Sequence, residues 1–183
     1  MGMKAGDDKT LSIRHSEVNK ASLGIGSGTL FSAYDSAGGT VVDGTERTVP
    51  LGTTRLADSV FSLTAGEVTI GADCWLEISA AATARPVSAD GASRGDVELK
   101  LQRDGGDSTW VDITGCFARG YTREMAAGST RHVGTTMSIG AQILQWNAGE
   151  AIRMRVWDDE PVAPDQALMA GGSSLTLKVV RFT

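Results

Sequence analysis

The chain has 183 residues, among them 23 Gly and 4 Pro, which is the length of one domain and a composition typical of a folded, turn-rich protein. Its formal net charge is -5, so it lacks the basic excess that a phosphate-binding surface needs, and we expect no nucleic-acid partner. No run approaches the roughly 18 apolar residues of a membrane-spanning helix. Two cysteines cannot build a framework of several disulfides, and whether Cys74 and Cys116 are bonded stays open.

Residues 1–28 differ in character from the rest of the chain. They are mostly polar, show no regular alternation, contain no apolar stretch of the secretory-signal type, and end in the glycine-rich Gly24–Gly28. We therefore expect residues 1–28 to form a flexible N-terminal arm with a glycine-rich joint, and residues 29–183 to form the folded domain. The absence of a secretory signal predicts synthesis in the cytoplasm of the producing cell.

From residue 30 onward, apolar and polar residues alternate with a period of two, which is typical of half-buried strands. The clearest case is Val97–Leu101, which stops at the turn-forming Asp104–Asp107. Residues 119–130 could form at most one short helical turn. The predicted strands, in chain order, are Leu30–Tyr34, Thr45–Leu51, Val60–Leu63, Val68–Ile70, Cys74–Ala82, Val97–Leu101, Trp110–Ile113, His132–Ile139, Ala141–Trp146, Ile152–Val156 and Leu175–Val179.

The spacing of these strands predicts the fold class. Turn signals recur at intervals of roughly 8 to 12 residues, the pattern of a β-sandwich or barrel. The last strand runs to Phe182, next to the C-terminus, and such a strand usually lies inside a sheet.

Residues able to carry out chemistry are few and scattered. His15 and His132 lack the spacing of a metal-ligand pair, and no Gly-x-Ser-x-Gly motif accompanies them. The acidic groups at two turns favour solvated carboxylates, with calcium ligands and a glycosidase carboxylate pair as the alternatives. We therefore predict that the protein is not an enzyme and that it has no catalytic residues, metal or cofactor. The acidic turn residues are Asp104, Asp107 and Asp112, and Asp158, Asp159 and Glu160.

Trp75 and Trp157 occupy the phase opposite to the aliphatic residues of their predicted strands. An outward tryptophan beside apolar residues favours a contact between subunits. A place in the core and a ligand platform are the alternatives.

Five segments, in order, resemble the tumour necrosis factor-like jelly roll. The resemblance spans residues 60–183 and implies an antiparallel jelly-roll sandwich that forms a homotrimer. The aromatic residues that usually line the family's threefold axis are sparse here, and no collagen-like or coiled-coil stalk is present. The matching segments are Leu63–Glu67, Val68–Ile78, Val97–Gly105, Ile143–Ile152 and Ala170–Phe182.

Among proteins of this shape, a short polar arm without a catalytic set is most similar to phage virion components. The resemblance implies a capsid decoration (cement) protein on the outer capsid surface, with itself and the major capsid protein as partners and no membrane contact. A receptor- or carbohydrate-binding fibre tip is the first alternative, and a small glycan-active enzyme the second. We expect capsid contacts from Lys9, Leu11, Ile13, Arg14, Val18 and Leu23, and trimer contacts from Trp75, Trp157 and Phe182.

Overall fold

The computed structural model describes residues 29–87, 94–124, 132–158 and 166–183. Strands and turns build this part of the chain, and it contains no helix with the length and apolar character needed to cross a membrane. The strands are β1 (Leu30–Asp35), β2 (Val41–Val42), β3 (Arg47–Thr48), β4 (Thr53–Ala57), β5 (Phe61–Thr64), β6 (Glu67–Ile70), β7 (Cys74–Pro86), β8 (Arg94–Asp104), β9 (Trp110–Glu124), β10 (His132–Val133), β11 (Thr135–Trp146), β12 (Ala151–Asp158), β13 (Gln166–Leu168) and β14 (Ser173–Phe182).

The strands form two antiparallel sheets that pack face to face as a jelly-roll sandwich, as the sequence predicts. Sheet 1 has the order β2-β13-β7-β14-β1-β4, and β11 pairs with β7 along its other edge. Sheet 2 has the order β10-β9-β8-β12-β6-β5, and β3 pairs with β12. The C-terminal strand β14 lies between β7 and β1, which confirms the prediction that the chain end is inside a sheet.

The core lies between the two sheets. It is formed by the apolar residues that alternate with polar ones along each strand. Along β7 every second residue is buried, so Leu76 and Ile78 face the core while Trp75 and Glu77 face outward. Leu99 and Leu101 of β8 are buried against them from sheet 2. Full burial of one such side chain is worth about 1.5–3 kcal/mol, which makes this interior the main source of stability.

Three predicted elements need correction. Within Thr45–Leu51 only Arg47–Thr48 pair as a strand. Arg119–Glu124, the first half of the predicted helical turn at 119–130, belong to β9, because their backbone continues the ladder with β8; residues 125–130 lie outside the described residues. The two strands predicted at His132–Ile139 and Ala141–Trp146 are instead a short β10 followed by one long strand, β11, with a bulge between Ile139 and Gln142.

Candidate functional site: the outer faces of the two sheets

The described residues hold no group of three or more His, Cys, Asp or Glu side chains that could bind a metal ion. The acidic turn after β8 uses its carboxylates internally, since Asp104 accepts hydrogen bonds from the backbone N–H groups of Gly106 (2.9 Å) and Asp107 (3.1 Å). Asp107 in turn accepts one from the backbone N–H of Thr109 (2.9 Å). These carboxylates stabilise the turn, as Asp side chains commonly do.

Asp158 departs from the prediction of a solvated turn carboxylate. It is buried because it continues the inward phase of β12, and its backbone N–H donates to the carbonyl of Asp43. Its carboxylate fits against Gly95, where a Cβ atom would lie 2.1 Å from Oδ2. Glycine at position 95 is therefore what leaves room for the acid. Asp159 and Glu160 lie outside the described residues.

Cys74 and Cys116 are free thiols on opposite sheets, and both are buried. Burial, together with the nearby charge of Asp73, raises the pKa of Cys74 to about 11, and burial raises the pKa of Cys116. A nucleophilic cysteine needs a lowered pKa and access to solvent. The structure gives neither of these thiols the properties of a catalytic group.

The outer face of sheet 1 is formed mainly by short, uncharged side chains. Cross-strand neighbours form successive rows over β1, β14, β7 and β11, and threonine and serine hydroxyls pair across strands, as in Thr83 with Thr136 (2.9 Å). The uncharged rows are Ser32–Thr176–Ser79, Tyr34–Ser174–Ala81–Ser138 and Thr83–Thr136, and one further row, Leu30–Lys178–Glu77–Ile143, contains an ion pair with 4.0 Å between the lysine nitrogen and the carboxylate.

Two arginines on this face lie over aromatic rings. The Arg55 guanidinium is 4.4 Å from the ring centre of Tyr34, and that of Arg181 is 5.1 Å from the ring centre of Trp75. Neither arginine has an ion pair within the part of the chain that the structure describes. Their positive charges are held in place on the face and remain able to pair with an incoming carboxylate.

Trp75 lies at the end of sheet 1 where β1 begins and β14 ends. With Ile143, Val180 and Arg181 it lines an open cavity of about 280 Å³. Ile143 is more than half exposed, and Phe182, opposite Cys74 in the β14–β7 register, is partly exposed. The predicted contact residues Trp75 and Phe182 therefore lie at the same end of sheet 1, but Trp75 projects from the outer face with Arg181, whereas Phe182 is on the side of its buried register partner Cys74.

The outer face of sheet 2 carries more charged side chains, and several of them are joined in a continuous chain of ion pairs and hydrogen bonds. Arg153 joins Glu67 (3.0 Å) to the side-chain carbonyl of Gln102 (3.0 Å), and Gln102 donates to Asp112 (2.8 Å). Lys100 continues the chain from Asp112 (3.0 Å). Lys100 also pairs with Glu46, and Arg119 with Glu98 forms a separate pair on the same face.

Trp157 lies on this outer face of sheet 2, in the row Trp157–Glu98–Arg119, and thus on the opposite side of the sandwich from Trp75. On the far side of β8 from Trp157, strand β9 carries an exposed Phe117 (59% exposed) and an exposed Tyr121. Sequence patterning gave the outward phase of both tryptophans but could not show that they belong to different sheets.

The other two tryptophans have structural roles. Trp146 is fully buried beneath Arg103, whose guanidinium is 4.5 Å from the ring centre. Trp110 is covered by Arg153 at 4.0 Å.

The expected capsid-binding residues Lys9, Leu11, Ile13, Arg14, Val18 and Leu23 lie outside the described residues. The point where the arm joins the domain is described. The carbonyl of Thr29 accepts a hydrogen bond from the N–H of Val179 (3.0 Å), and the N–H of Leu30 donates to Asp58. Thr29, where the expected arm would join the domain, therefore lies beside β14, at the same end of the sandwich as Trp75 and Phe182.

No model of a known protein family and no curated protein matches the sequence. Solved structures do match. A crystal structure of murine APRIL at pH 8.5 superposes with a TM-score of 0.55 over 83% of this chain and 98% of that chain, at 9% identity. Structures of murine APRIL at pH 5.0 and pH 8.0 cover the same shares, with TM-scores of 0.52 and 0.53 and identities of 10% and 8%.

The domain has the tumour necrosis factor-like jelly-roll fold. At identities this low the similarity establishes the fold alone, so function has to be argued from the surfaces of this chain.

Proposed function

We propose that the protein is a homotrimeric decoration protein of a phage capsid, bound to the outer shell and stabilising it. The observation that carries the proposal is the outer face of sheet 1. Most of its side chains are short and uncharged, its Lys178 lies beside Glu77, and its two ring-stacked arginines lack ion pairs among the described residues. Burying such a face in a contact removes few charges from water, so the desolvation cost is small.

A cyclic trimer uses two different surfaces on each chain, because each contact is heterologous. The first surface is the outer face of sheet 1, from the row of Ala81 to Trp75 at its end, together with the partly exposed Phe182 at that same end. The second is the side of sheet 2 that carries Trp157 and, at the β9 edge, the exposed Phe117. This arrangement assigns the three predicted contact residues to the trimer although they lie on opposite faces of one chain.

The arm is the proposed capsid anchor. Residues 1–28 join the domain at Thr29, beside the apolar end of sheet 1. In a trimer built through that end, three arms would leave close to one another. Three linked weak contacts bind far more tightly than one, so the apolar and basic residues of each arm need only modest affinity for the shell.

Light scattering on the purified protein tests the oligomer. We expect the mass of three chains at micromolar concentration, and the mass of one chain would contradict the trimer.

Binding to undecorated particles tests the anchor. The particles come from the phage genome that encodes the chain and are mixed with protein lacking residues 1–25. The matched control carries an arm of the same composition in scrambled order. We expect intact protein to decorate the shell and both altered proteins to fail. Binding of the arm-deleted protein at full occupancy would move the attachment site to the jelly roll.

One observation favours the alternative of a carbohydrate-binding fibre tip. The partly buried Trp75 lines an open cavity with Arg181, and an aromatic wall with a few polar groups beside it is typical of small-molecule sites. Electron microscopy of virions labelled on this protein separates the two functions. Label over the whole shell supports decoration, whereas label at one vertex or on a fibre supports the alternative.

A further inference from the structure

Two buried polar side chains face each other where the first and last strands of sheet 1 pair. Asp35 of β1 is 1% exposed, Ser173 of β14 is 0% exposed, and the two are directly opposite in the antiparallel register. One carboxylate oxygen of Asp35, Oδ1, accepts the backbone N–H groups of Ala37 and Gly38, both at 3.0 Å. The other oxygen, Oδ2, and the Ser173 hydroxyl are buried and have no hydrogen-bond partner among the described residues.

Leaving both groups unsatisfied would be costly, because each loses its hydrogen bonds to water on folding. Directly opposite residues of an antiparallel pair have Cβ atoms about 5 Å apart, so the two polar ends share one small space. We propose that a single water molecule is bound there. It donates a hydrogen bond to Asp35 Oδ2 and accepts one from the hydroxyl of Ser173.

The chemistry of the pair favours water over an ion. A calcium ion takes about six to eight oxygen ligands and magnesium demands an octahedral set, whereas these two side chains supply two unpartnered oxygens. An anion would be repelled by the carboxylate. Buried water, by contrast, is commonly held by two to four polar groups.

The bound water would fasten one end of sheet 1. Two turns meet at this end: the carbonyl of Asp35 accepts the N–H of Gly171 (2.7 Å), and the N–H of Gly39 donates to the carbonyl of Leu168 (2.8 Å). The water adds a link between β1 and β14, the first and last strands that the structure describes.

The direction of the stability change in Ser173→Ala tests the proposal. If the hydroxyl had no partner, its removal would stabilise the protein, because an unsatisfied polar group would be lost. If it holds the water, removal leaves the water with one hydrogen bond fewer, and Asp35 Oδ2 loses its partner whenever the weakened water leaves; we expect the melting temperature to fall by about 2–4 °C at fixed protein concentration. Ser62→Ala is the matched control, since Ser62 is an exposed strand serine on β5 of sheet 2, away from the face proposed as a contact; we expect a change of less than about 1 °C there.

A crystal structure of the unaltered protein gives a second test that does not depend on any variant folding. We expect one solvent peak within about 3 Å of both Asp35 Oδ2 and Ser173 Oγ. Crystals soaked in a rubidium salt should show no anomalous signal at that peak. A rubidium signal, a direct hydrogen bond between the two side chains, or a rise in melting temperature of Ser173→Ala would each overturn the proposal.

Discussion

The two outer faces of the sandwich differ in the partners of their charged side chains. On sheet 2, Lys100 and Arg153 are tied into a chain of carboxylate and amide partners. On sheet 1, Arg55 and Arg181 rest on aromatic rings, and serine, threonine and alanine fill the rows around them. The ion-paired region around Lys100 and Arg153 suits solvent, which leaves the Trp157 side of sheet 2 for the proposed contact, whereas a face with few charges can be covered by another protein at low cost. One fold therefore presents two surfaces with different uses.

The largest expected effect is the loss of self-association when a charge is placed in the middle of the sheet 1 face. Ala81→Glu adds a carboxylate to the row Tyr34–Ser174–Ala81–Ser138. We expect the trimer to weaken by about 100-fold or more, because a buried unpaired charge costs several kcal/mol and 1.4 kcal/mol is a factor of ten. Sedimentation across a concentration series measures it.

The matched control is Thr69→Glu, an exposed position on β6 in sheet 2. It should leave the trimer intact. Equal weakening by both substitutions would mean that the contrast between the faces does not decide association.

The next largest effect concerns the value of ion pairs on the two faces. The Lys100 side chain is 12% exposed and contacts Glu46 and Asp112, whereas that of Lys178 is 57% exposed and is 4.0 Å from Glu77. Lys100→Met leaves two carboxylates short of a partner, and we expect it to lower the free energy of unfolding by about 1–3 kcal/mol. Lys178→Met should change it by less than about 0.5 kcal/mol. Urea unfolding of both variants gives the comparison, and equal losses would contradict it.

A smaller effect should appear on acidification. Burial tends to raise the pKa of Asp112, but hydrogen bonds from Gln102 and Lys100 and the charges of Lys100 and Arg155 outweigh it, so this pKa lies below its ordinary value of 3.8. A carboxylate with a lowered pKa contributes stability above its ordinary pKa and loses it as pH falls through the folded-state value.

Unfolding free energies of the wild type and Asp112→Asn, measured between pH 7 and pH 2, test this effect. We expect the advantage of the wild type to shrink below about pH 4. A difference that stays constant over this range would show that the Asp112 pKa is not lowered.

The two sheets should not differ in the reactivity of their buried cysteines. Cys74 of sheet 1 and Cys116 of sheet 2 are both buried, and burial raises the pKa of each thiol. We expect neither to react with a thiol reagent at pH 8 in the native protein, and both to react after unfolding in guanidinium. Rapid native labelling of one cysteine would show that its sheet opens to solvent.

Sequence patterning predicted the strands that have a buried face. β1, β7, β8, β12 and β14 follow the period of two, because each places alternate residues in the core. The strands it missed offer no such pattern. β4 has no buried residue, β2 has only two residues, and all three residues of β13 are buried. A strand whose two faces are equally buried or equally exposed shows no alternation of apolar and polar residues, so the sequence pattern does not reveal it.

For the candidate site, the sequence predicted the outward phase of Trp75 and Trp157 but not their separation onto opposite sheets. It also missed the chain of ion pairs. Glu67, Gln102 and Arg153 are far apart in sequence and become neighbours only through the β6–β12–β8 register. The single available signal was alternating charge on β8 and β12, which predicts an exposed face without naming partners.

What the sequence by itself determined is the all-β class and the inward and outward side of each regular strand. Each depends on local alternation or composition, which short stretches of chain already contain. Only the tertiary structure decided which outward residues share a face. Tertiary structure also decided that Asp35 lies opposite Ser173 and that Asp158 packs against Gly95. The physical reason is that strands distant in the chain are brought into register by the pairing of whole sheets and the packing of one core, and neither is encoded in any single segment.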